Sequence, residues 1–98
     1  MSVHDPFASV IDERVPETTA ELADLCVSIA QRFRFGLDAE AHAALPAALA
    51  GIKRALGAGI LSPEAAAPVI DAMVSAMEQQ DLLLVADLLE RVIAPSLR

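Results

Sequence analysis

Hydrophobic residues recur at spacings of three and four along most of this chain, which is the pattern of amphipathic helices. The clearest example begins at Thr18, which forms a capping box with Glu21, and ends at Gly36. Polar residues occupy the positions between the apolar ones. The apolar face comprises Leu22, Leu25, Cys26, Ile29, Ala30 and Phe33. The pattern predicts a long first helix with one buried side.

Two more helices are predicted in the middle of the chain. Asp38 is expected to cap the first of them, over 39–56. Pro46 lies inside this helix and is expected to kink or break it, because proline lacks the N–H that the helix needs. The second helix, over 63–79, begins with Pro63 at the position where a missing N–H removes no bond.

The last predicted helix, over 82–94, is far more apolar than the others. Asp81 is placed to cap it, and leucine, isoleucine or valine occupies most of its positions. Only Asp87, Glu90 and Arg91 form an obvious polar edge. A helix that is apolar on several sides is either central in its domain or shared with another chain.

The first 17 residues are predicted to form an arm or a short helix. Asp5 and Pro6 are typical of a helix start, and apolar residues follow at helical spacing. These residues are Phe7, Val10, Ile11 and Val15. The expected fold is therefore all-α and a single domain over 1–98. It consists of an antiparallel bundle of four main helices over 18–98, with a short N-terminal helix within 1–17.

Composition and charge support the helical prediction and narrow the classes of partner. Only 3% of the residues are aromatic, and the apolar residues are mainly Ala, Leu, Val and Ile. The net charge of −7 opposes binding to nucleic acid and to anionic lipid surfaces. A helix-turn-helix-like stretch is present over 57–77, but its second helix carries Glu64, Asp71 and Glu78 without any Lys or Arg. We therefore expect no nucleic-acid partner.

The single cysteine, Cys26, allows no intrachain disulfide, which favours a reducing cytoplasm. It lies on the apolar face of the first helix and is expected to be structural and unreactive. Charged residues interrupt every window before about 18 apolar residues accumulate, so no membrane span is expected. His42 follows Asp38 by four residues, but no two histidines lie one helical turn apart. We expect no metal and no cofactor.

Four cations suggest an alternative function as a small helical enzyme. Arg32, Arg34, Lys53 and Arg54 could hold an anionic metabolite between helices, as in small helical mutases, which act by positioning and electrostatics. Their spacing does not match the motifs of those enzymes. Catalysis is therefore the alternative to a binding function.

The last two helices provide the main candidate for an interface. Their apolar residues exceed what a domain of this length can bury, and they are typical of a self-associating face or of an adaptable groove. The candidate interface residues are Met73, Met77, Leu83, Leu84, Val85, Leu88 and Val92. The sequence thus favours a protein-interaction module, as a homodimer or bound to the amphipathic helix of another protein, with a rim of acidic residues. Small acidic helical chaperones and adaptors of bacteria are similar in overall character, without a shared motif.

Overall fold

The computed structural model describes residues 15–98, and these residues form four helices without a strand. The all-helical prediction is confirmed for this part of the chain, while the predicted N-terminal helix lies outside the described residues. The first three helices are α1, Thr19–Arg34; α2, Asp38–Gly57; and α3, Pro63–Glu78. The fourth helix, α4, consists of an α-helical segment, Leu82–Leu88, a π-helical turn, Leu89–Ile93, and a final α-helical turn, Ala94–Ser96.

Side chains cap the two helices that the sequence marks most clearly. At the start of α1, the Glu21 amide donates to the Thr18 hydroxyl at 3.1 Å, and the Thr18 amide donates to the Glu21 carboxylate at 3.1 Å. At the start of α4, the Asp81 carboxylate accepts from the Leu84 amide at 3.3 Å. Both predicted caps are confirmed, and each satisfies amides that the first helical turn leaves unpaired.

The connections between the helices share one backbone arrangement. After α1, α2 and α3, an amide donates to a carbonyl five residues earlier, as in the bond from Leu37 to Arg32 at 2.8 Å. The residue before each of these donors has a positive φ, namely Gly36, Gly59 and Gln80. Glycine adopts this conformation without strain, whereas Gln80 does so at some cost. These short turns reverse the chain three times.

Two features of α2 differ from the sequence prediction. Asp38 is the first residue of the helix, and Leu37 takes the cap position without a side-chain hydrogen bond. The reason is that Leu37 already ends the turn after α1, so the next helix can begin at once. Pro46 lies inside α2, and the helix continues through it to Gly57. Of the two predicted alternatives at Pro46, a kink or a break, the break is therefore wrong.

Helices α1 and α4 form the centre of the domain. They pack against each other, and α2 and α3 pack mainly against α1 and α4, respectively. Arg34 at the end of α1 contacts Asp87 near the start of α4, while Asp24 near the start of α1 contacts Arg98 after α4. These two contacts show that α1 and α4 are antiparallel.

The contact between α1 and α2 is close because small residues line it. A Cβ on Gly51 would lie 2.7 Å from Cδ1 of Leu22, so glycine allows the two helices to approach at this point. Alanines fill the rest of the interface between these helices and the core behind it. The fully buried alanines of α1 and α2 are Ala23, Ala30, Ala41, Ala44 and Ala48. A core built from such small residues needs closely spaced helices to reach normal packing density.

The π-helical turn in α4 was not predicted. The Ala94 amide donates to the Leu89 carbonyl, five residues earlier rather than four. Pro95 follows at once, and a proline in a regular helix would strike the carbonyl four residues before it. A wider turn immediately before Pro95 accommodates the proline ring. Helix α4 therefore continues past the predicted end at Ala94.

Candidate functional site: an apolar groove between α2, α3 and α4

An apolar groove lies beside the N-terminal half of α3. The only fully buried residues of α3 are Met73 and Ala76, both in its C-terminal half. Its N-terminal half contains three alanines in a row, at 65–67, and these fill little of the space in front of α4. The groove has a volume of about 130 Å³. This volume is close to the roughly 150 Å³ of an apolar cavity that holds benzene, so the groove can accommodate one large side chain.

Three helices and one connection contribute to the groove. Residues of α3 form one wall, Ile52 of α2 and the α2–α3 connection form the other, and the last part of α4 forms the floor. Apart from two serines, every lining residue is apolar. The lining residues are Ile52, Leu61, Ser62, Ala65, Ala66, Val69, Ile70, Val92, Ile93 and Ser96.

The π-helical turn shapes the floor of the groove. Val92 and Ile93 belong to this turn, and both line the groove. The hydroxyl of Ser96 donates to the carbonyl of Val92 at 2.7 Å, as serine hydroxyls in helices commonly do to the carbonyl four residues earlier. π-Helical turns occur frequently at functional sites.

The apolar walls continue beyond the groove along α2 and α3. On α3, Val74 and Met77 follow Ile70 at helical spacing and therefore lie on the same side of the helix as Ile70. On α2, Leu49 and Leu56 flank Ile52 in the same way. Val74 is 52% exposed and Leu49 is 40% exposed, and the other two are half-buried. The groove is thus the deep end of an apolar trough between α2 and α3.

An acidic stripe borders this trough on the solvent side of α3. Glu64, Asp71 and Glu78 are exposed and lie seven residues apart, which places them almost in line along the helix. Because a helix turns by about 100° per residue, this row lies about 60° around the helix axis from Val74. Helix α3 contains no Lys or Arg. Within residues 15–98, no ion pair involves any of the three carboxylates.

The structure separates the interface residues that the sequence suggested. Val92 lines the groove, and Met77 extends its α3 wall. Leu83, which is 62% exposed, and Leu84 lie on the outer surface of α4, and Leu88 is half-buried beside them. Met73 and Val85 are fully buried in the core of the single chain and offer no surface to a partner. The chain itself covers Val85, which is why the sequence alone overstates the apolar surface of this helix.

Sequence reasoning did not single out the residues that open the groove. The signal was available in the sequence, because Ala65 and Ala66 give the first half of α3 much less volume than Met73 and Met77 give the second half. The side-chain volume along a helix predicts where a bundle stays open only when it is known which helices pack against each other.

The four cations of the enzyme alternative do not gather at one cavity. Arg34 donates to Asp87 at 2.7 Å and also to Glu90, which ties α1 to α4. Arg54 donates to the carbonyl of Pro16 at 3.0 Å and lines a second cavity of about 180 Å³. Lys53 is exposed and Arg32 is half-buried, and neither lines either of these two cavities. The observations therefore add nothing in favour of catalysis.

The remaining candidates for chemistry are Cys26 and His42. Cys26 is fully buried, as its place on the apolar face predicted, and burial raises the pKa of its thiol from 9.0 to about 11, which disfavours the reactive thiolate. His42 is exposed, and its ring meets that of Phe33 edge to face at 5.2 Å. Within residues 15–98, no three His, Cys, Asp or Glu side chains are arranged to hold a metal ion.

Compared with models of protein families, with curated proteins and with solved structures, the chain matches none of them. Among the helices of residues 15–98, none combines the length and the hydropathy that crossing a bilayer requires.

Proposed function

We propose that this protein is a protein-interaction module that binds the apolar face of a partner helix between α2 and α3. The observation that carries this proposal is the apolar groove of about 130 Å³, beyond which apolar residues continue along α2 and α3. Proteins that bind amphipathic helices use apolar grooves of this kind, which receive side chains spaced three and four residues apart.

The dimensions of the trough suit a helix of several turns. Helix α3 has 16 residues, which corresponds to a length of about 24 Å. One partner side chain would enter the groove beside Val92, and one or two more would lie between Leu49 and Val74. Each buried apolar side chain contributes roughly 1.5–3 kcal/mol before the entropy of association is subtracted. We therefore expect dissociation constants in the micromolar range or weaker for a helix without further contacts.

Self-association is the second part of the proposal, and it uses a different surface. Leu83 and Leu84 are exposed next to each other on the outer side of α4, away from the groove. Two large apolar residues in this position favour a homodimer through the start of α4. A cytoplasmic location, which the single Cys26 favours, stays a prediction.

A titration with a designed helical peptide tests the groove. The peptide carries leucines at helical spacing on one face and uncharged glutamine or serine elsewhere, and binding is followed by amide NMR shifts of the full chain. We expect the largest shifts at groove residues such as Ile52, Ala66 and Ile70. A Val92→Glu substitution should weaken binding at least ten-fold, because it would place a carboxylate in an apolar floor.

Two control variants make the titration specific. Leu83→Glu adds the same charge to α4 outside the groove, so it should leave peptide binding unchanged while weakening any dimer. Ala66→Leu should block the groove by filling it, whereas Ala50→Leu adds the same volume to an exposed position of α2 and should have no effect. If the peptide does not bind, or if Val92→Glu and Leu83→Glu weaken it equally, the proposed function is wrong.

A further inference from the structure

We infer that the partner is a basic amphipathic helix of another protein, with Lys or Arg repeated every seven residues along one edge of its apolar face. The inference rests on the proposed function, because it specifies the occupant of the same groove. It is carried by the position of the acidic stripe, Glu64, Asp71 and Glu78, beside the apolar wall of α3.

The spacing of the stripe determines the spacing of the partner's charges. When two helices pack side by side, residues that flank the apolar seam recur every seven positions and face the flanking residues of the partner. Glu64, Asp71 and Glu78 have this spacing and this place relative to Ile70 and Val74. Each carboxylate would therefore face one residue of a helix in the trough, and the residues that face successive carboxylates would lie seven positions apart. Lysine or arginine at these positions would form ion pairs with the stripe.

The charges of α3 also explain why the stripe is available to a partner. Three carboxylates elsewhere in the described chain have cations nearby, since Asp87 and Glu90 contact Arg34, and Asp24 contacts Arg98. By contrast, the three carboxylates of α3 have no ion-pair partner among residues 15–98. A row of like charges beside an exposed apolar surface attracts basic partners and repels acidic ones.

A second copy of this chain fits the trough poorly. Its own α3 would bring a further acidic stripe, and like charges in register oppose association. Among residues 15–98, only Arg91 and Arg98 are cations seven residues apart. Arg91 lies within the π-helical turn and Arg98 follows the end of α4 at Ser96, so the two do not form a regular helical row, and Arg98 is already paired with Asp24. The groove is therefore better suited to a heterologous helix than to a copy of the chain.

Three peptides with one apolar face and different edges test the inference. The edge residue, repeated every seven positions, is lysine in the first, glutamine in the second and glutamate in the third. Their affinities for the full chain are measured by fluorescence anisotropy at about 50 mM and about 500 mM salt. At the lower salt we expect the lysine peptide to bind on the order of ten-fold more tightly than the glutamine peptide, and the glutamate peptide more weakly still. At the higher salt these differences should shrink.

A triple variant shows whether the stripe causes the preference. With Glu64→Gln, Asp71→Asn and Glu78→Gln together, the lysine and glutamine peptides should bind equally well, and the affinity of the glutamine peptide should stay as in the unsubstituted chain. The stripe is exposed, so these substitutions leave the core unchanged. The circular dichroism melting curve checks that the variant is folded.

A matched control removes the same number of charges elsewhere. Glu17→Gln, Asp38→Asn and Glu40→Gln change exposed carboxylates away from the trough, and this variant should keep the preference for lysine. If it loses the preference as well, net charge rather than the stripe is responsible, and the inference is wrong.

The outcomes separate this inference from the proposed function. Equal binding of all three peptides in the groove would overturn the basic partner and leave helix binding in place. Failure of every peptide to bind would refute both. Sedimentation that shows a dimer dissociated by Val92→Glu, but not by Leu83→Glu, would assign the groove to a second copy and also overturn the inference.

Discussion

The buried thiol of Cys26 should make the stability of the protein depend on pH in the alkaline range. The pKa of this thiol is raised from its ordinary value of 9.0 to about 11 by burial among apolar side chains. Below pH 9 the thiol is protonated in both the folded and the unfolded chain, so its ionisation has no effect on stability. Between pH 9 and about 11 the unfolded chain loses this proton first, and the free energy of unfolding falls as the pH rises.

The magnitude follows from the difference between the two pKa values. A pKa difference of one unit corresponds to about 1.4 kcal/mol, so the difference at Cys26 corresponds to an energy on the order of 3 kcal/mol once the pH exceeds both values. A domain of this size has a total stability on the order of 5–15 kcal/mol. The loss is therefore large enough to measure by urea denaturation.

Comparison with Cys26→Ala isolates this contribution. Urea denaturation of both proteins is followed by circular dichroism between about pH 8 and 11, where other groups titrate equally in the two chains. The alanine variant should start less stable, because it loses a buried sulfur, and should overtake or approach the original chain as the pH rises. Parallel stability curves for the two proteins would refute the assignment of the shift to burial. They would also reopen the possibility that Cys26 is accessible and reactive.

Three further substitutions test the packing and the proposed surfaces. Arg34→Ala removes two contacts to α4 and should lower the free energy of unfolding by about 0.5–1 kcal/mol at low salt and by less at high salt. The control Arg91→Ala should change the free energy of unfolding little. Urea denaturation of both variants at two salt concentrations checks this. Met73→Ala should lower the free energy of unfolding by about 2–5 kcal/mol, because Met73 is the largest fully buried side chain of α3. A loss below about 1 kcal/mol in the same assay would contradict the packing of Met73 described above. Leu84→Glu should reduce the apparent mass toward that of a monomer in sedimentation equilibrium without lowering the melting temperature. An unchanged mass for both Leu84→Glu and Leu83→Glu would contradict self-association through α4.

Local signals in the sequence predicted most of the helix boundaries because those boundaries depend on neighbouring residues. The capping box of Thr18 and Glu21, the cap at Asp81 and the stop at Gly36 act within one helical turn. Pro46 shows the limit of such reasoning. A proline removes one hydrogen bond of α2, and the packing of the surrounding alanines against α1 keeps the helix intact.

The candidate site could not be predicted in the same way, because it depends on which helices are neighbours. The sequence indicated an excess of apolar residues in the last helices, and it did not indicate that Val85 and Met73 would be covered by the chain itself. Nor did it indicate that α2 and α3 would each pack mainly on a central helix and leave a trough between them. In the sequence, the acidic residues of α3 indicate only that this helix is unsuited to binding nucleic acid. Their position beside an apolar wall became visible only in three dimensions.

The π-helical turn also sets the register of the last residues of the chain. One extra residue in a helix rotates everything after it by about 100°. In this register Ala94 and Leu97 face the core, and Ser96 faces outward. If the same sequence formed a regular helix without this wider turn, Ser96 would turn toward the core and Leu97 would move away from its present contacts. A single-residue deletion within 89–93 would remove the residue that the wider turn absorbs, so a regular helix could form with Ala94 and Leu97 in their present register. The deletion would therefore act on the groove floor and leave the packing of Leu97 in place.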